Sequence, residues 1–397
     1  MFLNQTLLLI NIVALLWRIL LIKYQYQCVA IQKEEDLPEI TVVVPAYNEG
    51  KGVLETIQSL VYSNYPESKL HIIAIDDGSH DDTWECLTEA QKRWGEKICI
   101  LRFSENQGKR CALYHGFKRS KGDVLVTVDS DSILDQDSLR YLVSPFQNAR
   151  VGAVAGNVRI LNRKEGFIPR MLDVSFAYSF EFIRASQSCV NAVMCTPGAL
   201  SAYRKDIVML VLEEWLHQKF LGQKATIGED RAMTNFILRA GYHVSFQSKA
   251  TVYTKVPIKY TKLCKMFLRW ARSNIRETLV MTAFAFKKFR STPASGMRVN
   301  LLLHWTTLTF LQILRLQTIL YFFISPYIFG VHLFLGAAII SLFPAIVYWL
   351  KYHNSNGFWA FPYGIFWILS LSWITPYAML TPYKNSWMTR DLDKAQK

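Results

Sequence analysis

Asp123-Val124-Leu125-Val126-Thr127-Val128-Asp129-Ser130-Asp131 is the stretch whose reading decides the fold. Its apolar, β-branched run predicts a buried strand. That strand delivers two carboxylates to the point where the chain leaves a sheet. Residues two apart on a strand share a face, so Asp129 and Asp131 are expected side by side. Two hard oxygen ligands there can hold Mg²⁺ or Mn²⁺ and leave coordination positions open for a diphosphate.

Three strand-like runs precede this one: Ile40 to Val44, His71 to Ile75 and Ile98 to Phe103. Helical patterns near 51–62, 81–94, 107–119 and 134–144 alternate with them. Such alternation predicts an α/β domain, residues 38–257, with a mostly parallel sheet and helices on both faces. Ligands then bind beyond the carboxyl ends of the strands. The polar clusters fall there: Tyr47-Asn48-Glu49, Asp76-Asp77-Gly78-Ser79 and Asp129-Ser130-Asp131.

Outside this domain the chain is strongly apolar. Phe2 to Ile22, Leu301 to Phe329, Val331 to Leu350 and Phe358 to Leu380 are each about 20 residues or longer, enough to span ~30 Å of hydrocarbon. The expected organisation is an N-terminal transmembrane helix (1–24), the cytosolic domain (38–257), amphipathic interfacial helices (258–297), a C-terminal α-helical transmembrane bundle (298–382) and a tail (383–397). The formal charge of +14 suits either nucleic acid or a membrane surface, and its placement decides between them. Lys255, Lys259, Lys262, Lys265, Arg269, Arg272, Arg276, Lys287, Lys288 and Arg290 crowd before the second apolar run. Basic residues flanking membrane segments mark the cytoplasmic side and bind anionic headgroups, so a lipid bilayer is the expected partner and nucleic acid is not. Seven cysteines without paired or metal-type spacing suit a reducing compartment.

Several short motifs carry chemistry. A carboxylate of Asp76-Asp77 can accept the imide N–H of uracil, although Asp and Ser here also suit an ordinary helix cap. Lys109 and Arg110, in Asn106-Gln107-Gly108-Lys109-Arg110, can meet a diphosphate. Glu229 and Asp230 open a helical pattern, where carboxylates are usual capping groups. As a general base, such a carboxylate would take the proton of an attacking hydroxyl, worth roughly 10²–10⁴-fold. Arg269-Trp270 lies in an apolar and basic helical segment suited to a membrane surface. There Trp270 can stack under a sugar and Arg269 can face a diphosphate. Trp387-Met388-Thr389-Arg390 follows the last apolar run, where aromatic anchors are common.

Taken in order, these motifs resemble the membrane-embedded, processive members of glycosyltransferase family 2, above all the hyaluronan synthases and rhizobial chitin-oligosaccharide synthases. The resemblance runs through Gly152-Ala153-Val154-Ala155-Gly156, Phe220-Leu221-Gly222, Ile227-Gly228-Glu229-Asp230-Arg231, Lys255-Val256-Pro257 and Arg269-Trp270-Ala271-Arg272-Ser273. It implies a cytosolic GT-A domain, a UDP-sugar donor and inverting transfer to a growing β-linked polysaccharide that is secreted across the inner cell membrane. UDP-N-acetylglucosamine is the favoured donor. By position it implies that Tyr47, Glu49, Asp76 and Lys109 line the nucleotide site. Asp129 would contact the nucleotide and Asp131 the metal, with Asp230 as base. Trp270 would stack the acceptor, and Arg269 with Arg390 would contact the diphosphate. Cys195-Thr196-Pro197-Gly198-Ala199-Leu200 would form the floor under the acceptor sugar. Trp387, Thr389 and Arg390 look like the W-G-T-R gating motif, with Met388 for Gly.

Two positions depart from the family pattern. Met266 stands where Q-x-x-R-W has Gln, and a thioether cannot donate an amide's hydrogen bonds. The floor reads Pro197-Gly198 where Gly-Pro is usual. The alternatives are a non-processive enzyme adding one sugar to a lipid or short acceptor, a β-glucan synthase using UDP-glucose, and a transporter or receptor with a degenerate nucleotide-binding domain. Three full crossings after a cytosolic domain would also put Arg390 outside the cell. The segment Phe358 to Leu380, with Pro362 and Pro376, is therefore expected to be re-entrant or broken.

Overall fold

The computed structural model describes residues 2–384. Its centre is an eight-stranded sheet. Strands β1 (Ile40–Ala46), β2 (Leu70–Asp76), β3 (Ile98–Arg102) and β4 (Val124–Thr127) are those read from the sequence. β5 (Ser132–Leu134), β6 (Val151–Ile160), β7 (Ser201–Arg204) and β10 (His243–Thr254) complete it, and β8 (Lys219–Phe220) with β9 (Gln223–Lys224) forms a separate hairpin. The sheet order is β3-β2-β1-β4-β7-β6-β10-β5.

β1 pairs in parallel with β2 and β4, Val42 facing Ile72 on one side and Val126 on the other. Every residue of β1 is buried, which is why its Ile-Thr-Val-Val-Val run does not alternate. Helices α2 (Gly52–Val61), α3 (Thr83–Trp94) and α4 (Lys109–Arg119) make the crossovers. Beyond β4 the expectation of a mostly parallel sheet needs correction, because the sheet is mixed. β7 runs antiparallel between β4 and β6, with Tyr203 opposite both Leu125 and Ala153. Its four residues, Ser-Ala-Tyr-Arg, carry no apolar run, so only pairing with distant neighbours makes them a strand.

After β5 come α5 (Ser138–Val143), α6 (Phe167–Ala177), α7 (Ala185–Cys189), α8 (Lys205–Leu216) and α9 (Glu229–Arg239). Next is α10 (Tyr260–Ala285), which is far more buried than a helix lying on a surface. Ile275, Arg276, Glu277, Thr278 and Met281 are all enclosed. Its seat depends on Gly228, which caps α9 with φ of +70°; a Cβ there would stand 1.7 Å from the Ser273 hydroxyl of α10.

The remaining helices are α1 (Phe2–Gln25), α11 (Ser295–Ile324), α12 (Pro326–Tyr352), α13 (Ala360–Phe366) and α14 (Ile374–Leu380). Among the described residues, one helix is long and apolar enough to cross a membrane, Pro326–Tyr352. Phe334, Leu335, Ile339, Ile340 and Leu342 stand exposed on it. The last apolar run is not one straight helix: Ser355–Leu371 and Ile374–Leu380 meet at a 43° bend. α12 is tied to the sheet domain by buried polar contacts. Asp173 of α6 accepts from Arg159 Nη2 at 3.1 Å and from the Tyr348 hydroxyl at 2.7 Å. Glu181 meets the Tyr352 hydroxyl at 3.1 Å and Lys351 at 3.1 Å.

Candidate active site

The polar loops converge at the carboxyl edge of β1, β2 and β4. After β1, the amide of Asn48 donates to Ser79 Oγ at 3.0 Å, and those of Glu49 and Gly50 to Thr83 Oγ1 at 2.9 Å. This ties the Tyr47–Gly50 loop, where Tyr47 and Glu49 are half-buried, to the loop after β2. Asp76 is fully enclosed. Its Oδ1 accepts from the Ser79 amide at 2.9 Å, while its Oδ2 faces the half-exposed Arg102 guanidinium at 3.3 Å without forming a hydrogen bond.

Asp77 and Arg110, expected as nucleotide contacts, both have partners within the protein. The Asp77 carboxylate accepts from the amides of Gln107 and Gly108 at 2.8 and 2.9 Å and so holds the loop that starts α4. Burial pushes its carboxyl up to about 6 despite those two donors. Arg110 is buried: Nη1 donates to the Trp215 carbonyl at 2.7 Å and to Gln218 Oε1 at 3.0 Å, and the guanidinium lies 5.1 Å from the Trp215 ring centre. Adjacent helix residues point about 100° apart, so Lys109 and Arg110 cannot both face one cleft.

Lys109 does face it. Its ammonium pairs with Asp129 and lies 3.2 Å from Glu229 Oε1. Burial would lower the Lys109 pKa, but the carboxylates of Asp129 and Glu229 outweigh that and hold it above its ordinary value. Asp129 and Asp131 belong to the turn between β4 and β5 rather than to the strand itself. Strand alternation therefore does not align them; the turn carries both, each half-buried. Asp131 Oδ1 accepts from Thr254 Oγ1 at 3.3 Å. Two carboxylates on one turn are a suitable oxygen donor set for Mg²⁺ or Mn²⁺. Among the described residues, no group of three or more His, Cys, Asp or Glu side chains gathers as a metal site.

Glu229 and Asp230 open α9. Their placement depends on Trp215 of α8, whose indole N–H donates to the Glu229 carbonyl at 2.9 Å. Trp215 reads in the sequence as core filling, and nothing local distinguishes it. Asp230 Oδ1 accepts from the amide of Arg231 at 2.7 Å, and its Oδ2 accepts from the amide of Gly198 at 3.3 Å. The Cys195 thiol lies 3.9 Å from Oδ2. Burial first, and the neighbouring Glu229 charge second, push the Asp230 carboxyl up to about 6. Glu229 goes the other way. Burial raises it, yet Lys109 and, less strongly, Arg269 and Arg110 hold it below its ordinary value. The two adjacent acids are thus driven apart, which is how acid–base roles separate at one site.

Gly198 closes the cleft, since a Cβ on it would stand 2.6 Å from Lys109 Nζ and 3.5 Å from Asp129 Oδ1. The lining also includes Thr127, Tyr203 and Met233. Pro197 precedes Gly198 in this loop, and its carbonyl accepts from Ser201 Oγ at 2.5 Å. Trp270 is exposed beside Phe267 and Phe176, with ring centres 5.6 and 6.1 Å away. Met266 is buried among Leu263, Leu371 and Ile374. Trp387, Thr389 and Arg390 lie outside the described residues.

Residues 38–273 match the family described as Glycosyltransferase like family 2. The chain is 30% identical over 365 residues to a hyaluronan synthase of Streptococcus pyogenes, covering 89% of this chain and 83% of that protein. It is 32% identical over 242 residues to an N-acetylglucosaminyltransferase of Azorhizobium caulinodans, covering 61% of each. The fold resembles that of a mannosyltransferase from Pyrobaculum calidifontis solved with GDP-Man and Mn²⁺, with a TM-score of 0.65 at 19% identity over 97% of this chain and 96% of that one. This likeness marks a GT-A-like mixed α/β fold.

Proposed function

The chain belongs to glycosyltransferase-like family 2 and is a hexosyltransferase, and from that premise we propose that it polymerises a β-linked polysaccharide from a UDP-sugar, UDP-N-acetylglucosamine being the favoured donor. The observation that carries the reading is one cluster, in which Lys109 pairs with Asp129 and Glu229 while Gly198 borders Lys109 and donates to Asp230. Asp230 is the base: it takes the proton of the acceptor hydroxyl as that oxygen attacks the anomeric carbon opposite the departing diphosphate, which inverts the centre. Lys109 exchanges its carboxylate partners for diphosphate oxygens, and Arg269 adds positive charge on the same side. Asp129 and Asp131 would hold Mg²⁺ or Mn²⁺, which when bound supplies charge neutralisation at the diphosphate. Trp270 offers its exposed face to the acceptor sugar.

The proposed setting is the inner cell membrane, with the catalytic domain in the cytosol. Contacts of the apolar helices with the domain support this. Arg18 of α1 donates to Ser186 at 2.7 Å. The first turns of α11 enter the main core through Met297 and Leu301, and α12 returns to the domain through Tyr348 and Lys351. α11 and α12 thus make a hairpin with both feet on one side. The bent pair starts beside α12 and ends where Thr381 accepts from Arg272 Nε at 3.2 Å, which suits a re-entrant segment that returns to the catalytic side. Addition of a single sugar is a second reading. Met266 favours it, because its thioether is packed in an apolar cluster and gives an acceptor no hydrogen bond.

The test is a panel of radiolabelled UDP-sugars offered to the purified enzyme with Mg²⁺ or Mn²⁺, with the products sized. A polymer made from UDP-N-acetylglucosamine, alone or with a second donor, and lost in Asp230→Asn is the expected result. A one-sugar product replaces polymerisation with the second reading. UDP release undiminished in Asp230→Asn overturns the assignment of the base.

A further inference from the structure

We infer that Arg184 is a positioning residue for the acceptor, pinning the Cys195–Gly198 loop against the start of α9; this rests on the transferase reading above. The segment Tyr178–Arg184 is wound as a π-helix between α6 and α7. Such widened turns interrupt regular helical bonding and are frequent at functional sites. The Arg184 guanidinium lies 3.9 Å from the Phe180 ring centre. Its Nε donates to the Cys195 carbonyl at 3.2 Å, and its Nη1 to the Ser179 hydroxyl at 2.8 Å.

The loop so held has its other anchors on α9. The Thr196 amide donates to Thr234 Oγ1 at 3.0 Å, one helical turn beyond Asp230, and the Gly198 amide donates to Asp230 itself at 3.3 Å. Arg184 and α9 therefore grip one short backbone segment from opposite sides. That segment borders Lys109 and Asp129 through Gly198. It is the segment that would form the floor under the acceptor sugar.

The same guanidinium joins the loop to a row of rings. Phe180 lies 6.0 Å from Phe176, and Phe176 lies 6.1 Å from the exposed Trp270. Arg184 thus sets the level of the loop relative to the aromatic face that a sugar would stack on. A guanidinium suits the task because one planar group can stack on a ring and donate along its edge at the same time, which an ammonium cannot. Burial disfavours the charged guanidinium and lowers its pKa, and Cys195 and Asp230 offset only part of that shift.

The test separates transfer to acceptor from hydrolysis of the donor. Full-length Arg184→Gln and Arg184→Lys in lipid nanodiscs are assayed for polymer formation and for UDP released without transfer. A misplaced acceptor loses transfer and leaves the donor's own chemistry intact. Arg184→Gln is expected to lower transfer about tenfold or more while the donor KM and the hydrolysis rate stay within about twofold, and Arg184→Lys to recover part of the loss. Transfer and hydrolysis falling in parallel, or neither changing, overturns the inference. Should Arg184→Gln fail to fold by thermal melting, the same partition is read from Arg184→Lys. An unsubstituted protein that turns over no UDP-sugar overturns the transferase reading itself, and the inference with it.

Discussion

Asp173 is a buried aspartate and Asp230 a half-buried one, and the molecule treats them in opposite ways. Asp173 meets a guanidinium on one oxygen and a tyrosine hydroxyl on the other, and so clamps α12 to the domain. Asp230 meets backbone amides and a distant thiol, beside a second carboxylate, and its carboxyl is raised to about 6. A buried carboxylate with strong side-chain donors holds structure together. One left to weak donors and a like charge is poised to take a proton.

The largest effect expected from this contrast is on rate. Asp230→Asn should lower transfer by roughly 10²–10⁴-fold with little change in melting temperature. A normal rate in that variant would break the comparison at its functional end. The pH profile sharpens the same point. The folded pKa of Asp230 stands above the ordinary 3.8, so the unprotonated base is lost as pH falls through about 6. The value of kcat/KM should fall along that limb, and Asp230→Asn should flatten it.

At the other aspartate the effect should appear in stability. Asp173→Ala leaves Arg159 buried without its carboxylate, and should cost about 3 kcal/mol in a denaturation curve. Equal melting of the two proteins would show that the clamp holds nothing. Gly228→Ala tests what seats α10 beside Asp230. Its positive φ and the 1.7 Å approach to Ser273 predict a loss of about 2 kcal/mol, read by thermal melting. The smallest effect is expected at Met266→Gln, which buries an amide in an apolar cluster. It should cost about 1 kcal/mol without lengthening the product, and a longer product would show that this position reaches the acceptor.

Much of this was legible in the sequence because it is local. The run at β4, the three strands that precede it and the polar residues at their carboxyl ends follow from hydrophobic pattern and turn chemistry. So does the apolar character of α12. Other features depend on what distant segments bring. β7 is a strand only because β4 and β6 flank it. The Asp129-Ser130-Asp131 stretch turns because β5 must run back to meet β10. Arg110 faces inward because Lys109, its neighbour on the helix, takes the cleft, and Met266 is buried because α14 folds onto α10. Nothing in the residues around Arg184 marks it, since the Cys195 carbonyl it holds lies on a loop that only the folded chain brings near. Residue pattern fixed which groups could do chemistry. Long-range packing decided which of them share a cleft, because burial and pairing belong to the assembled surroundings of a side chain and not to its place in the chain.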